Sequence, residues 1–499
     1  MEGEPLVLSV DVGTTNIKAG VVDAHGRVLR VVQQELPLAR DENGKAEHDP
    51  HLLWETFGAV ARQVTEGYGQ KIRALVLSAY QLSLLAVDET GGTLTGIITL
   101  LDTRPRQTYP RLMEQIDAHQ LYQRTGCPPL FHYPFSKIFW LKTTHPDLFA
   151  RARWLVGAKD YLIYRLTGQW VTEASLGTAT QLMNLHSLRW DEVALGVLEL
   201  DAGRLPEPVE ADRVLVTLPE EVCARLGVAE GCRLVPGVYD GGAVAIGIGA
   251  LVGGAGAINL GTTAMLRVAM PQPVLDADPA MRLQTCYLAC GRWFPGGAIN
   301  NAGITLRWLR DSVLGMDYEA MNREGERVSD TAGLFFLPFL SGERNPQIGN
   351  AASGVFFGLR GYHTRGHVVR AAMEGVCFAL RIVYDALREN GVVPREIRIG
   401  GGGVRSPLWM QTMANVLGIP LQVSQVEEPG LVGSAILGYT ALGVYADVEQ
   451  ATQAMVRTGR QYLPQQDAVE AYAEKYRFFQ QLMDDLAQAF QRHARLVTP

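Results

Sequence analysis

An aspartate followed by a glycine-threonine turn lies near the start of the chain, in the segment LSVDVGTTNIKA (residues 8–19). Asp11 comes at the end of an apolar run, and Gly13, Thr14 and Thr15 then offer backbone N–H groups and two hydroxyls with little bulk. A carboxylate beside such donors suits a phosphate group that carries a metal ion. An ordinary hairpin turn has the same composition, and this segment taken alone favours the hairpin.

A second segment of the same kind changes that balance. INLGTTAML (residues 258–266) again ends an apolar run in Gly-Thr-Thr, at Gly261, Thr262 and Thr263. Two such turns in the two halves of one chain predict that they hold the phosphates of one ligand from opposite sides.

Asp240 is the other carboxylate with a chemical role, because it stands between a short predicted strand and a Gly-Gly helix start. A helix N-cap is its structural alternative. We favour catalysis, since phosphoryl transfer to a hydroxyl needs Mg²⁺ and a carboxylate that takes the proton. Asp11 and Asp240 are therefore both candidate metal residues, and Asp240 is the candidate base.

Four glycines at residues 400–403 precede Val404-Arg405-Ser406-Pro407 and a predicted helix over 407–417. Neither GxGxxG nor GxxxxGK[ST] fits this stretch, which disfavours a Rossmann dinucleotide site and a P-loop. Bare backbone before a helix could still accept an adenine ring or phosphates. A tight turn without a ligand is equally compatible with this motif alone.

The elements that position these residues form two similar series. With 499 residues, two or more domains are expected. The first half predicts strands at 6–12, 17–23 and 28–36, a helix from 50 to about 67, and strands at 72–77, 84–88, 96–100 and 233–237. The second half predicts strands at 256–260, 264–268, 283–288 and 396–400, with its longest helix from 364 or 365 to 391. Mixed sheets with helices on their faces, an α/β arrangement, follow from this order.

Three connecting regions complete the prediction. Residues 104–184 have helical spacing in several pieces and resemble an insertion, whereas 206–218 is proline-rich and predicts a loop. Residues 241–254 are rich in Gly and Ala, as in a closely packed crossing helix.

Composition excludes several classes of protein. A net charge of -7 without a long run of Lys or Arg argues against nucleic-acid binding. Six cysteines with no CxxC pair predict buried thiols in a reducing compartment. No apolar stretch reaches membrane-spanning length and the first residues lack a signal-peptide pattern, so we expect a cytoplasmic protein without a membrane partner.

Taken together, the motifs resemble the FGGY carbohydrate kinases. The matching segments are DVGTTNIKAGVVD, LLDTR (100–104), AKDYLIYRLTG (158–168), VYDGG, NLGTT, LPFLSGERNP (337–346) and GGGVRSPLWMQTMANVLGIP (401–420). The resemblance implies two ribonuclease H-like domains of the actin, Hsp70 and sugar kinase type, over residues 1–245 and 246–499. It also implies that ATP, Mg²⁺ and a sugar meet in the cleft between the domains, and we expect closure near residues 241–254 to exclude water.

The resemblance also assigns roles to residues of this chain. Asp240 is expected to be the base, with Asp11 near the Mg²⁺-phosphate end. The residues expected to bind ATP are Gly13, Thr14, Thr15, Lys18, Gly261, Thr262, Thr263, Asn301, Ala302, Gly401, Gly402, Ser406 and Gln411. The residues expected to bind the sugar are Gln81, Leu82, Leu100, Asp102, Arg104 and Asp240.

The chain departs from the family pattern in the sugar site. Many relatives have Met-His where this chain has Gln81 and Leu82, and the tryptophan of the WxDxR loop is Leu100. Segments 134–141 and 300–311 resemble the gluconate kinase branch. A buried gluconate carboxylate would want a dedicated cation, however, and Gln81, Leu82 and Leu100 provide at most one amide.

This polarity argument ranks a ketopentose of the xylulose type ahead of gluconate as the phosphoryl acceptor. A non-catalytic nucleotide switch on the same fold is a minor alternative. The expected partners are ATP and a small sugar, with a homodimer as an open alternative.

Overall fold

Two six-stranded mixed sheets form the centres of the two halves in the computed structural model, which describes residues 4–345 and 348–497. The strands of the first half are β1 (Leu6–Val12), β2 (Asn16–Val22), β3 (Val28–Glu35), β4 (Ala39–Arg40), β5 (Ala46–His48), β6 (Ile72–Ala79), β7 (Leu85–Val87), β8 (Ile97–Ile98), β9 (Trp154–Val156), β10 (Val171–Glu173), β11 (Glu207–Val209), β12 (Val216–Thr217) and β13 (Arg233–Val235). Its α-helices are α1 (Pro50–Thr65), α2 (Tyr109–Met113), α3 (Ala118–Thr125), α4 (Pro134–Thr144), α5 (Pro146–Arg151), α6 (Ala158–Thr167), α7 (Ala174–Thr178), α8 (Glu192–Leu198), α9 (Glu220–Leu226) and α10 (Asp240–Gly247).

The second half follows with its own strands and helices. The strands are β14 (Gly256–Leu260), β15 (Ala264–Val268), β16 (Tyr287–Ala289), β17 (Arg292–Trp293), β18 (Gly296–Ile299), β19 (Phe335–Pro338), β20 (Gly354–Phe357), β21 (Ile397–Gly400), β22 (Leu421–Ser424) and β23 (Thr458–Tyr462). The α-helices are α11 (Gly303–Trp308), α12 (Tyr318–Glu326), α13 (Arg365–Glu389), α14 (Pro407–Leu417), α15 (Pro429–Ala441), α16 (Val448–Met455) and α17 (Gln466–Val497).

The two sheets have the same topology. The first has the order β3-β2-β1-β6-β13-β12, and the second has the order β18-β15-β14-β21-β22-β23. In both, the first three strands pair antiparallel, the next two pairings are parallel, and the last strand is antiparallel. The predicted two-domain α/β fold with mixed sheets is confirmed.

Alternation along β1 explains how the strand brings Asp11 to the space between the halves. Leu8 and Val10 pack in the core beneath α1, whereas Val7 packs with α10 and α15 on the opposite face. Side chains two residues apart share a face of a strand, so Asp11 lies on the side of Val7. Helix α15 belongs to the second half, and this face therefore looks toward the other domain.

Helices α10 and α15 cross in unusually close contact between the two sheets. A methyl group at Gly433 would lie 1.9 Å from the carbonyl oxygen of Ala243, and one at Gly247 would lie 1.8 Å from that of Pro429. Only glycine permits such an approach. The crossing helix predicted from residue 241 is thus present but ends at Gly247, and the proposed domain boundary at residues 245 and 246 falls in its last turn.

Some predicted elements were wrong. The longest helix in the described chain is α17 with 32 residues, not α13 with 25. In α17, charged and glutamine residues stand between the apolar ones and lower the hydrophobicity of the segment. Tyr472, Tyr476 and Phe479 are nevertheless buried. The predicted loop at 206–218 contains β11 and β12, and the strand predicted at 283–288 is reduced to β16.

The cysteine prediction agrees closely with the structure. All six are free thiols, five of them buried and Cys290 partly exposed. Within residues 4–345 and 348–497, no helix combines the length and the apolar character needed to cross a membrane.

Candidate active site

Asp11 lies under the first turn of α15. Its Oδ1 accepts a 2.7 Å hydrogen bond from the Ser78 hydroxyl, and a methyl group at Gly430 would lie 3.6 Å from its Oδ2. Burial raises the pKa of Asp11, while the Ser78 hydrogen bond and the attraction of Lys18 oppose that rise. The carboxylate is therefore oriented by a neighbouring strand and stands at the interface of the halves.

The first glycine-threonine turn is supported from below by a buried imidazole. Gly13 N–H donates to the Asn16 carbonyl at 2.9 Å, which closes the turn. His48 Nε2 lies 3.0 Å from the Thr14 carbonyl and Nδ1 lies 2.8 Å from the Tyr80 hydroxyl. A carbonyl can only accept, so Nε2 carries the proton, and burial lowers the pKa of His48. These hydrogen bonds hold the turn, and the side chains of Thr14 and Thr15 lie outside the buried core.

Lys18, which the resemblance assigns to ATP, makes an ion pair with the other half. Its Nζ lies 2.8 Å from Glu428 Oε2, just before α15 begins. Both side chains are about one-third exposed, at 30% and 31%. Lys18 thus joins the first hairpin to the second domain at the edge of the cleft.

Asp240 is the first residue of α10, and Tyr239 occupies the N-cap position that sequence reasoning considered for it. The Asp240 Oδ1 accepts a hydrogen bond of 2.7 Å from Gly241 N–H. Burial, together with repulsion from Asp11, raises the pKa of Asp240 to about 7. A carboxyl group with that pKa can exchange a proton near neutral pH.

A buried ion pair holds the backbone just before Asp240, and sequence reasoning did not identify it. Lys159 Nζ lies 3.1 Å from Glu173 Oε1 and donates to the Val238 carbonyl at 3.1 Å. Ser175 Oγ accepts from Tyr239 N–H at 3.1 Å and donates to the same Glu173 oxygen at 2.9 Å. Lys159 belongs to the AKDYLIYRLTG segment, and the match of that segment to the family was the only sequence feature that could have indicated a role for it.

The second glycine-threonine turn borders a large cavity. Gly261 N–H donates to Thr263 O at 3.0 Å, and Gly303 N–H donates to Gly261 O at 2.9 Å, so the turn rests on the start of α11. The cavity measures about 630 Å³, within the range of small-molecule sites. Its lining includes Gly261, Thr262, Arg307, Tyr318, Asn322, Gly402, Gly403, Arg405, Ser406 and Trp409.

Predicted ATP residues divide between the lining of this cavity and the layer behind it. Gly402 faces open space, because a methyl group there would meet nothing within 4 Å. Gly401, at a φ of 103°, backs onto Leu260, while Asn301 and Ala302 are buried. The Gln411 amide is directed elsewhere and donates to the Leu463 carbonyl at 2.8 Å. The structure thus brings Gly261, Thr262, Gly402 and Ser406 to the cavity but not Gln411.

A second, smaller cavity of about 60 Å³ brings the predicted sugar residues Leu82 and Leu100 against the other half; we call it the interdomain cavity. The remaining lining residues are Pro128, Leu130, His132, Tyr133, Arg282, Gln284, Gly297, Ala298, Arg344 and Asn345. Gln81, which precedes Leu82 in the chain, is not among the lining residues, and its Nε2 is buried and has no hydrogen-bond partner among the described residues. Sequence reasoning had not included His132 or Arg344 among the candidate sugar residues.

Asp102 and Arg104 do not line the interdomain cavity. Asp102 is buried and accepts from Ala46 N–H at 2.9 Å and from Arg104 Nη2 at 2.6 Å. Arg104 also bonds Glu47, and its guanidinium carbon lies 4.6 Å from the centre of the Trp140 ring. This pair joins the LLDTR loop to β5, and Arg104 is already occupied by two carboxylates.

One arginine connects the interdomain cavity with the residue after Asp240. Arg267 Nη2 donates to Gln284 Oε1 at 2.7 Å, and Gln284 lines the cavity. Arg267 also borders a small gap with Gly241 and Met265. The side chain of Arg267 therefore lies between the interdomain cavity and the start of α10.

Known proteins resemble the chain over nearly its whole length. Residues 6–247 match the N-terminal domain of the FGGY family of carbohydrate kinases, and residues 256–442 match its C-terminal domain. The gluconokinase of Bacillus subtilis strain 168 is 31% identical over 482 residues, 93% of either chain. The probable L-xylulose kinase of Pasteurella multocida is 28% identical over 483 residues, which cover 95% of this chain and 98% of that one.

The fold of this chain is similar to that in the crystal structure of ligand-bound xylulose kinase from Lactobacillus acidophilus. The TM-score is 0.94 at 27% identity, and the match covers 98% of this chain and 100% of that one. The two family domains account for both sheets and for both glycine-threonine turns. The chain belongs to the FGGY family of carbohydrate kinases and is an ATP-dependent carbohydrate kinase.

Proposed function

We propose that the protein transfers the γ-phosphoryl group of ATP to a hydroxyl of gluconate. The observation that carries this substrate is Arg344, whose side chain lines the interdomain cavity together with Leu82 and Leu100. A carboxylate buried in such a cavity needs a cation or several donors, and a guanidinium is the best-matched partner.

Arg344 removes the objection that sequence reasoning raised against gluconate. That argument considered only residues around positions 81–104, where the one cation, Arg104, is bound by Asp102 and Glu47. Arg344 comes from the second half, and its Nε donates to Asn300 Oδ1 at 2.7 Å, which orients the guanidinium. The likeness to gluconokinase at 31% identity supports the same substrate.

In this proposal ATP occupies the 630 Å³ cavity, with its phosphates between the two glycine-threonine turns. Asp240 accepts the proton of the attacking hydroxyl, and its pKa of about 7 suits that role at neutral pH. Lys159 and Ser175 hold residues 238 and 239 and so fix the direction of the base. Transfer then depends mainly on in-line positioning of hydroxyl and phosphate.

Sugar kinases of this family use ATP, generally together with Mg²⁺. The donor set fits this ion, because Asp11 and Asp240 are close enough for repulsion to raise the pKa of Asp240. No group of three or more His, Cys, Asp or Glu side chains suited to a metal occurs among the described residues. Mg²⁺ commonly binds through one or two carboxylates plus phosphate oxygens, and it would neutralise phosphate charge between Asp11 and Asp240.

Admission of the sugar requires movement between the halves. The interdomain cavity of about 60 Å³ is smaller than the roughly 300 Å³ at the lower end of ligand sites. The turn that follows α10 contains Gly249, Gly253 and Gly254, all at positive φ. We propose that the halves separate at this turn to admit the sugar and close again to exclude water.

A ketopentose of the xylulose type remains the second candidate. Leu82, Leu100 and Leu130 give the interdomain cavity an apolar side that suits a substrate without a charge. The identity to the probable L-xylulose kinase, 28%, is only slightly lower than that to the gluconokinase.

An ADP-release assay over aldonates, pentuloses and polyols separates the two candidates. Ranked by kcat/KM, gluconate is expected to lead xylulose by more than tenfold, about 1.4 kcal/mol of transition-state preference. Arg344→Gln should lower that ratio by tenfold or more. Because both sugars are measured with the same variant, loss of folded enzyme cancels. A ketopentose that leads the wild-type panel would overturn the gluconate proposal.

A further inference from the structure

His132 is a partly buried imidazole of the interdomain cavity, and one of its nitrogens has no hydrogen-bond partner among the described residues. Its Nδ1 is inaccessible to solvent and has no hydrogen-bond partner among the described residues. Its side chain lines the cavity beside Leu82, Leu100 and Arg344. Buried polar atoms are almost always paired in native proteins, so an unpaired one beside a substrate cavity indicates a bond made with the ligand.

The ring is held firmly where it stands. It stacks on Phe131 with 3.9 Å between centroids. Helix α4 begins at Pro134, and its buried Lys137 donates to the carbonyls of Leu82 and of Thr99, the latter at 2.8 Å. One short helix thus sets the His132 loop and the Leu82 loop relative to each other.

The charge on this imidazole is also determined by its surroundings. Burial lowers the pKa of His132 to about 3, and the nearby cations Arg344, Lys137 and Arg106 act in the same direction. The neutral ring has one N–H and one lone pair, which suits a hydroxyl, since a hydroxyl both donates and accepts. A carboxylate would instead be bound by the guanidinium of Arg344.

We infer that His132 is a substrate-binding residue of this kinase, which pairs through Nδ1 with a hydroxyl of the sugar and discriminates among sugars by that contact. The inference rests on the proposed function for two points, the location of the sugar in the interdomain cavity and the separation of the halves that gives it access to Nδ1. It holds for gluconate and for a ketopentose alike.

Three substitutions test the contact. His132→Phe keeps an aromatic ring but removes both nitrogens, His132→Asn places an amide near the position of Nδ1, and His132→Gln reaches the position of Nε2. With the best sugar of the panel as substrate, we expect His132→Phe and His132→Gln to raise the sugar KM roughly 10- to 100-fold. His132→Asn should remain within about fivefold of wild type, and the KM for ATP should not change in any variant.

His145 supplies a matched control, because it also lies against an aromatic ring, 5.3 Å from that of Trp140, but outside this cavity. His145→Phe should leave the sugar KM unchanged. Equal KM values in all three His132 variants, whether raised or normal, would overturn the inference, and so would parallel changes in the KM for ATP. If His132→Phe acts as expected on a panel led by a ketopentose, the inference stands while the gluconate proposal fails.

Deoxy sugars identify the hydroxyl. For one deoxy analogue of the best substrate, wild type and His132→Phe should have the same kcat/KM, because the contact is already missing. If His132→Phe weakens every deoxy analogue as much as the parent sugar, no hydroxyl pairs with His132 and the inference is wrong.

Discussion

The ammonium of Lys159 lies 3.1 Å from Glu173 Oε1, and no part of either side chain is exposed. Both charges have lost their hydration, which costs free energy that their attraction and additional hydrogen bonds must offset. Glu173 also accepts from Ser175 N–H at 2.6 Å, and Lys159 donates to the Val238 carbonyl. The pair therefore joins α6 and α7 to the backbone that carries Asp240.

Lys159→Met should lower the free energy of unfolding by about 3–5 kcal/mol, because it leaves the Glu173 charge buried and unpaired. The double variant Lys159→Met/Glu173→Gln removes that charge and should recover part of the loss. Urea unfolding measures both. Arg323→Met, which breaks an exposed ion pair with Glu319 in α12, should have a much smaller effect. Equal effects of Lys159→Met and Arg323→Met would contradict the interpretation.

Asp240→Asn should lower kcat by about 10²- to 10⁴-fold, the usual contribution of a general base. The amide has the same size and can still accept from Gly241 N–H, so the fold and ATP affinity should be retained. Steady-state assays and titration calorimetry measure the two quantities. Asp485→Asn, on the exposed side of α17, is the matched control. Near-normal turnover would remove Asp240 from this role.

The same substitution should stabilise the ligand-free protein in a pH-dependent way. The folded-state pKa of Asp240, about 7, lies above the ordinary aspartate pKa of 3.8, so the group favours the folded state at low pH and loses that contribution as pH rises from about 4 to 7. Asparagine does not titrate. The free energy of unfolding of Asp240→Asn minus that of wild type should therefore increase between pH 4.5 and 8 in urea experiments. A difference independent of pH would show that the pKa is not raised.

Local sequence patterns were sufficient to predict the turns of the candidate site that lie within one segment. Asp11 lies near the end of β1 with Gly13 just beyond it, and Gly261 follows β14, so the geometry of both turns is encoded by neighbours in sequence. The similar series of strands in the two halves was predictable for the same reason, because each strand is a local pattern. Gln411 shows the limit within a single helix, because its amide donates to the Leu463 carbonyl, which lies outside α14.

The proposed sugar site depends on contacts that no local pattern reveals. Leu82, His132 and Arg344 are distant in sequence and meet only because the first-half loops pack against the second half. Polarity reasoning restricted to residues 81–104 therefore omitted Arg344, the cation on which the gluconate proposal depends. Lys159 was missed similarly, since its partner Glu173 belongs to another element.

Kinase activity should disappear with EDTA and return with Mg²⁺, because the glycine-threonine turns offer neutral donors to the phosphates whereas Asp11 and Asp240 offer negative charge to a cation. Asp11→Ala should weaken the Mg²⁺ dependence of ATP binding in titration calorimetry. Ser78→Ala, which leaves the carboxylate but removes its 2.7 Å hydrogen bond, should have a smaller effect of the same sign. Identical Mg²⁺-ATP affinities for wild type and Asp11→Ala would show that Asp11 does not contact the ion.

Gly433→Ala should destabilise the protein and impair turnover, because the added methyl group would lie 1.9 Å from Ala243 O and 2.7 Å from Gly247 N. These are backbone atoms of α10, so relief requires that α10 and α15 separate, at a cost of about 1–3 kcal/mol or more. Asp240 is the first residue of α10, and Asp11 lies beneath the start of α15. Separation of the helices would therefore displace both carboxylates.

Gly196 provides the control for this prediction, since it is an exposed helical glycine in α8 whose added methyl group would meet nothing within 4 Å. Gly196→Ala should stabilise the protein by up to about 1 kcal/mol through helix propensity, with kcat unchanged. Urea unfolding and the ADP-release assay are measured on both variants. If Gly433→Ala were as stable and as active as Gly196→Ala, the close crossing of α10 and α15 would not be what fixes the positions of Asp11 and Asp240 relative to each other.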